Sequence, residues 1–96
     1  MKILITGAAG FIGFHLSRNL LKFKKNKIFG IDNFDKYYSI KLKKKRIELL
    51  KKEKNFHFQK IDITSIKLSN YLKNKNFDII IHLAAQAGVR YSLVNP

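Results

Sequence analysis

The stretch Thr6–Gly13, TGAAGFIG, spaces three glycines as G-x-x-G-x-x-G at Gly7, Gly10 and Gly13. An apolar run precedes it and an amphipathic stretch follows it, so the glycines sit between a strand and a helix. In that setting each has a task. Gly7 permits a sharp turn out of the strand, Gly10 lets the backbone approach a pyrophosphate, and Gly13 lets the helix pack closely on the sheet. The free N–H groups and positive dipole end of the helix then face phosphates. Asp32 follows Gly13 by nineteen residues, at the close of a second apolar run. A carboxylate there accepts bonds from the adenine-ribose hydroxyls of a dinucleotide and repels a 2′-phosphate, so NAD is expected over NADP. Lys36 is close enough in sequence to soften that repulsion. Asp62 and Ile63, after a third strand-like run, are placed to border the adenine, although Asp62 reads nearly as well as a helix cap. His82 is tempting as a base, but its position at a strand end marks it as a core residue. The absence of cysteine removes a disulfide framework, a thiolate metal site and a thiol nucleophile, and no metal is expected.

The elements that must position these residues alternate. Lys2–Thr6 is a short buried strand by length and branching. From Phe11 to Lys24, Ile12, Leu16, Leu20 and Phe23 recur at spacings of four, four and three, one face of a helix. Lys27–Ile31 is a second buried strand. Ser39 to about Lys54 reads as a lysine-rich helix with Ile40, Leu42, Ile47, Leu49 and Leu50 as its apolar residues and Lys43–Arg46 on its wet side. Asn55–Ile61 is a third strand, and Thr64 caps a short helix running through Leu72. Phe77–Ala84, FDIIIHLA, is the strongest strand signal. The order β-α-β-α-β-α-β predicts an α/β fold, a Rossmann-type doubly wound parallel sheet covered on both faces, with strand order 3-2-1-4. No linker or repeat interrupts it.

Ninety-six residues, 46% of them hydrophobic, suffice for one small globular domain. Twenty Lys and Arg against six acids give a net charge of +14. Such a surface can attract nucleic acid or anionic lipid. Seventeen of the twenty are lysines scattered among isoleucine and asparagine, and the aromatics do not interleave with them as in RNA-binding signatures. A solvated basic surface is therefore expected, with no nucleic-acid partner. No stretch approaches the ~18 apolar residues of a membrane span, and the N-terminus lacks a signal-peptide pattern. The expectation is a cytoplasmic protein without a membrane partner.

With TGAAGFIG, GIDNFDKYY, DIIIHLAAQAGVRYS and the closing NP, the chain resembles the N-terminal part of an extended short-chain dehydrogenase/reductase of the NAD-dependent epimerase/dehydratase family. Within that superfamily it is most similar to the UDP-glucuronate 4-epimerases, for which AAQAGVRYS followed by NP is the narrower marker. The resemblance covers the whole chain, which corresponds to less than a third of a typical member. It implies a full-length homodimer that keeps NAD bound. Such an enzyme oxidises a sugar hydroxyl at the fourth carbon, lets the ketone rotate and returns hydride to the other face, giving UDP-galacturonate. It further implies that Gly7, Gly10, Phe11, Ile12 and Gly13 form the pyrophosphate loop, and that Asp32 and Asn33 hold the adenine ribose. Asp62 and Ile63 would border the adenine, and Leu83, Ala84 and Ala85 would form the wall after the fourth strand. Arg90, in the loop leaving that strand, is expected to bind a phosphate or the uronate carboxylate of the UDP-sugar, because its planar fork suits either. Sister enzymes share this cofactor half: another sugar-nucleotide 4-epimerase, a 4,6-dehydratase or a uronate decarboxylase. The alternative of another class is a non-enzymatic basic binding module.

The family's catalytic pair is Tyr-x-x-x-Lys on a helix after a fifth strand, where the lysine lowers the tyrosine pKa. Two literal matches occur, Tyr37–Lys41 and Tyr71–Lys75. The first follows the second strand at the adenine end and the second precedes the fourth strand, so no catalytic residue is assigned. Asn95-Pro96 reads as a helix opening, an N-cap followed by proline at the first helical position. Residues 1–96 are accordingly expected to be the first part of an NAD-binding domain, with its remainder and the substrate domain absent. In the order 3-2-1-4, Phe77–Leu83 would form an apolar edge that a fifth strand normally covers.

Overall fold

Ile3, Leu4 and Ile5 are buried in succession, and side chains alternate in direction along a strand, so this run requires cover on both sides. The computed structural model describes residues 1–33, 40–64, 66–73 and 75–84. It provides that cover through β1 (Lys2–Thr6), α1 (Phe11–Leu21), β2 (Lys27–Asp32), α2 (Ile40–Lys51), β3 (Phe56–Lys60), α3 (Ile66–Lys73) and β4 (Ile79–His82). The sheet order is β3-β2-β1-β4, as expected, and every pairing is parallel. β1 pairs with β2 from Lys2 opposite Lys27 to Thr6 opposite Ile31, and with β4 from Ile3 opposite Ile79 to Thr6 opposite His82. On one face Ile3, Ile5, Ile28 and Phe56 pack with Phe14 and Leu21 of α1 and with Ile47 and Leu50 of α2. On the other face Leu4, Ile31 and Ile61 meet Leu68, Tyr71 and Leu72 of α3, which are only partly buried.

The buried face of α1 differs from the periodic face of its sequence. Gly13, Phe14, Ser17 and Leu21 point at the sheet, whereas Ile12 is 65% exposed and Phe23, beyond the helix end, is 67% exposed. Leu16 and Leu20 are half-buried at the margin. Gly13 packs against the Gly7–Ala8 backbone of the turn leaving β1 too closely for a Cβ, so the residues four and eight positions later follow it inward. Lys43 and Arg46 also depart from a solvated reading of α2. Lys43 is 5% exposed, and Arg46 donates to the carbonyl of Ala9. The fourth strand is half its expected length because β1 offers it only Ile3–Thr6 as partners. Just before it, Asp78 takes the Lys2 N–H on its carboxylate at 2.8 Å and returns its own N–H to the Lys2 carbonyl at 2.7 Å. Ile79 and Ile80 lie on the sheet's β4 edge and remain 38% and 54% exposed.

At the start of the strands, Phe29, Phe77 and Tyr71 form an aromatic cluster, with Phe29 and Phe77 edge to face at 5.4 Å. Lys75 Nζ lies 4.9 Å over the Tyr71 ring, a cation–π placement on the face of the ring. Burial pushes the Tyr71 phenol up from 10.0 to about 12. This is the opposite of the lowered pKa that a Tyr-x-x-x-Lys base requires. The sign also sets a pH dependence. The contribution of a neutral Tyr71 is intact below about pH 10 and is lost as pH rises towards 12. Ultraviolet titration of tyrosinate absorbance should show a component ionising near 12 that disappears in Tyr71→Phe.

Candidate functional site

The turn after β1 is built by backbone bonds that need no particular side chain. Gly7 N–H and Ala8 N–H both donate to the Ile31 carbonyl, at 2.9 and 3.2 Å, and Gly10 N–H donates to the Gly7 carbonyl at 3.0 Å. Gly7 has φ +72°, in the left-handed region that other residues avoid. A Cβ at Gly7 would also stand 2.9 Å from Ala84 N, so the glycine lets β1 turn beneath the segment leaving β4. A Cβ at Gly13 would fall on the Gly7 carbonyl oxygen, well inside contact distance. At Gly10 the same atom would meet, among the described residues, only the Gly7 oxygen, at 3.3 Å.

α1 starts at this turn without a side-chain cap and without an acid in its first turn. Among the described residues, its leading N–H groups therefore have no intrahelical acceptor and no carboxylate of the helix's own first turn to compete with an incoming anion. The Asp32 carboxylate closes the other side. It is 7% exposed at the end of β2, and its Oδ2 accepts the Ala9 N–H at 3.0 Å. Asp32 thus holds the glycine loop through the Ala9 N–H.

Thr6 ties the loop to the opposite wall. Its Oγ1 accepts the N–H groups of Leu83 at 2.9 Å and Ala84 at 3.1 Å, which occupies both lone pairs. The hydroxyl proton is then left for His82 Nδ1, at 2.8 Å, which puts the imidazole's own proton on Nε2. His82 serves the strand end, in keeping with a structural reading. Asp62 lies exposed after β3, and its Oδ1 accepts both the N–H and the hydroxyl of Thr64, at 2.9 Å each. Those bonds, the backbone one first, hold its carboxyl below the usual range. Locally, then, Asp62 closes the turn leading to α3.

Gly7, Gly10, Gly13, Asp32, Leu83 and Ala84 are gathered at the carboxyl ends of β1, β2 and β4. Phe11 and Ile12 stand at the loop's rim, 66% and 65% exposed. Asn33 is exposed beyond Asp32, and Ile63 packs partly against Ile61 and its neighbours one strand further out. Ala85 and Arg90 lie outside the described residues, as do Lys36, Tyr37 and the Asn95-Pro96 ending. Sequence reading passed over Thr6 and Arg46. Thr6 carries no local signal, because its role depends on residues 76 to 78 positions away. Arg46 had a weak one: it is the single arginine of a helix otherwise supplied with lysines.

A parallel βαβ unit with a glycine turn, an uncapped helix start and a carboxylate closing the adjacent strand has the architecture of the dinucleotide-binding class. The chain belongs to the GDP-mannose 4,6 dehydratase family of NAD-dependent epimerases and dehydratases, whose profile matches residues 4–96. It is 46% identical over 94 residues to the UDP-glucuronate 4-epimerase of Thermodesulfobacterium geofontis, covering 97% of this chain and 29% of that protein. Among solved structures, the UDP-glucuronic acid 4-epimerase of Bacillus cereus, in complex with UDP-glucuronic acid and NAD, superposes with a TM-score of 0.81 at 44% identity. That match covers 96% of this chain and 29% of the epimerase. The dTDP-glucose 4,6-dehydratase of Bacillus anthracis, in complex with NAD, matches 91% of this chain and 27% of its own at 26% identity, with a TM-score of 0.76. The chain spans under a third of the length of these relatives.

Proposed function

We propose that this chain is the first part of the NAD-binding domain of a sugar-nucleotide epimerase, interconverting UDP-glucuronate and UDP-galacturonate, with the substrate domain supplied by further sequence. The observation that carries the reading is the match at 44% identity and TM-score 0.81 to an epimerase solved with NAD and UDP-glucuronic acid. The 26% identity to a dehydratase makes that sister reaction the weaker choice.

The residues present fit the cofactor. Among the described residues, Gly10 presents no side chain to a pyrophosphate directed by the uncapped N–H groups of α1, and Gly7 and Gly13 bring the loop and helix together behind it. In this reading Gly7, Gly10, Phe11, Ile12 and Gly13 bind the phosphates, and Asp32 with Asn33 takes the ribose. Asp62 and Ile63 border the adenine, and Leu83, Ala84 and Ala85 line the far wall. Bound NAD supplies a hydride acceptor and donor for the fourth carbon of the sugar. The residues of this chain contribute binding and orientation, with Arg90 assigned to a phosphate or the uronate carboxylate. Proton transfer is assigned to residues outside these 96, in a cytoplasmic homodimer.

The test is expression of the complete reading frame and chromatography of sugar nucleotides after incubation with UDP-glucuronate. UDP-galacturonate should accumulate to an equilibrium mixture without net consumption of NAD, and the 96-residue chain alone should give none. A decarboxylated or dehydrated product, or unchanged substrate with a cofactor-loaded enzyme, would overturn the assignment.

A further inference from the structure

Two successive peptide planes of the glycine loop are pinned from outside it. The plane joining Ala8 to Ala9 is held at its N–H by Asp32 Oδ2, at 3.0 Å. The plane joining Ala9 to Gly10 is held at its carbonyl by Arg46 Nη1, at 3.0 Å, and at its N–H by the Gly7 carbonyl, also at 3.0 Å. Ala9 itself is fully buried, so its backbone groups must find partners within the protein. The second plane has particular leverage. Gly10 is the N-cap of α1, with φ −71° and ψ 169° and no side chain to fix it. Glycine at that place can swing through a wide range of backbone angles. A small rotation of the plane before it would re-aim the N–H groups of Phe11, Ile12 and Gly13 that follow.

We infer that Arg46 is a positioning residue for the anion-binding loop: from α2 it fixes the Ala9–Gly10 peptide and so sets the direction in which the first N–H groups of α1 point. The inference rests on the cofactor reading above for its effect on NAD, and on geometry alone for its effect on the loop. A guanidinium suits the role. It is always charged, it bonds a carbonyl more strongly than a neutral donor does, and Arg46 is half-buried.

The test uses the full-length protein and three variants, Arg46→Met, Arg46→Ala and Arg46→Lys. Methionine keeps an unbranched apolar stem and removes the donor to the buried Ala9 carbonyl, so melting temperature without cofactor should fall modestly, and by less than in Arg46→Ala. Calorimetric titration should show the NAD dissociation constant raised about tenfold in Arg46→Met, the loss of one charged hydrogen bond's worth of orientation. Arg46→Lys should restore part of it, because a single ammonium donor can serve one carbonyl. Amide exchange at Gly10, read by NMR without cofactor, should quicken in Arg46→Met while exchange in β1 stays slow. Parental NAD affinity and parental Gly10 exchange in Arg46→Met and Arg46→Ala would overturn the inference. So would losses in both that simply follow a lowered melting temperature. A parent protein that binds no NAD would instead defeat the cofactor reading, and Gly10 exchange alone would then decide the role of Arg46.

Discussion

Gly13→Ala should destabilise the fold by about 3 kcal/mol, at the upper end of the range for overpacking, and abolish dinucleotide binding with it. Helix propensity alone argues the other way, since alanine is favoured over glycine inside a helix by about 1 kcal/mol. The contact decides the sign. The new Cβ would fall on the Gly7 carbonyl oxygen, with Ala8 Cα and the Gly7 carbonyl carbon each at 3.0 Å, and all of these are backbone atoms that cannot rotate away. α1 would have to lift from the sheet. That movement would pull on Ser17, which is fully buried and bonds back to the Gly13 carbonyl at 2.7 Å, and on Leu21 one turn further on. Urea unfolding followed by circular dichroism should show the loss as a lower midpoint with an unchanged slope. Gly10→Ala makes the complementary case. Among the described residues its Cβ meets one atom, the Gly7 oxygen at 3.3 Å, a tight contact but no overlap, so the loss of stability should be much smaller than for Gly13→Ala while NAD binding is lost to a methyl group in the phosphate space. Equal destabilisation by the two substitutions would contradict this division of labour.

Asp32→Ala in the full-length protein should weaken NAD by about two orders of magnitude and narrow the gap to NADP. Two losses combine. The ribose loses its charged acceptor, and the buried Ala9 N–H loses the Oδ2 that holds it at 3.0 Å. Asp32→Asn separates them, because an amide oxygen can still accept from Ala9 while the negative charge that repels a 2′-phosphate is gone. The asparagine variant should therefore keep more of its NAD affinity than the alanine variant and gain more for NADP. Calorimetric titration of both cofactors checks this. A parent protein that binds NAD and NADP equally would remove Asp32 from cofactor choice.

Much of this molecule was legible in its residues. Short branched apolar runs alternating with amphipathic stretches dictate a parallel sheet, because every strand must be covered on both faces and each crossover needs a helix. The glycine spacing and the aspartate closing the second strand were equally readable, since backbone conformation and charge placement at a strand end are local requirements. Even so, local pattern misplaced the face of α1. Ile12, Leu16 and Leu20 satisfy a helical period, yet the helix turns Gly13 and Ser17 inward because the closest permitted approach to Gly7, not the largest side chains, sets its rotation.

Tertiary structure decided the rest, in each case through a partner distant along the chain. Lys43–Arg46 looks like a solvated run until α2 lies beside the loop and Arg46 reaches a carbonyl 37 residues earlier. Thr6 is one more strand residue until the end of β4 delivers an imidazole, and the two residues after it two N–H groups, to its hydroxyl. Tyr71–Lys75 fits a catalytic spacing, but burial raises the phenol's pKa, and the ammonium lies over the ring. Spacing specifies which residue types recur. Burial and the direction of each hydrogen bond exist only once the strands have been laid side by side, and those two quantities determine what each residue type can do.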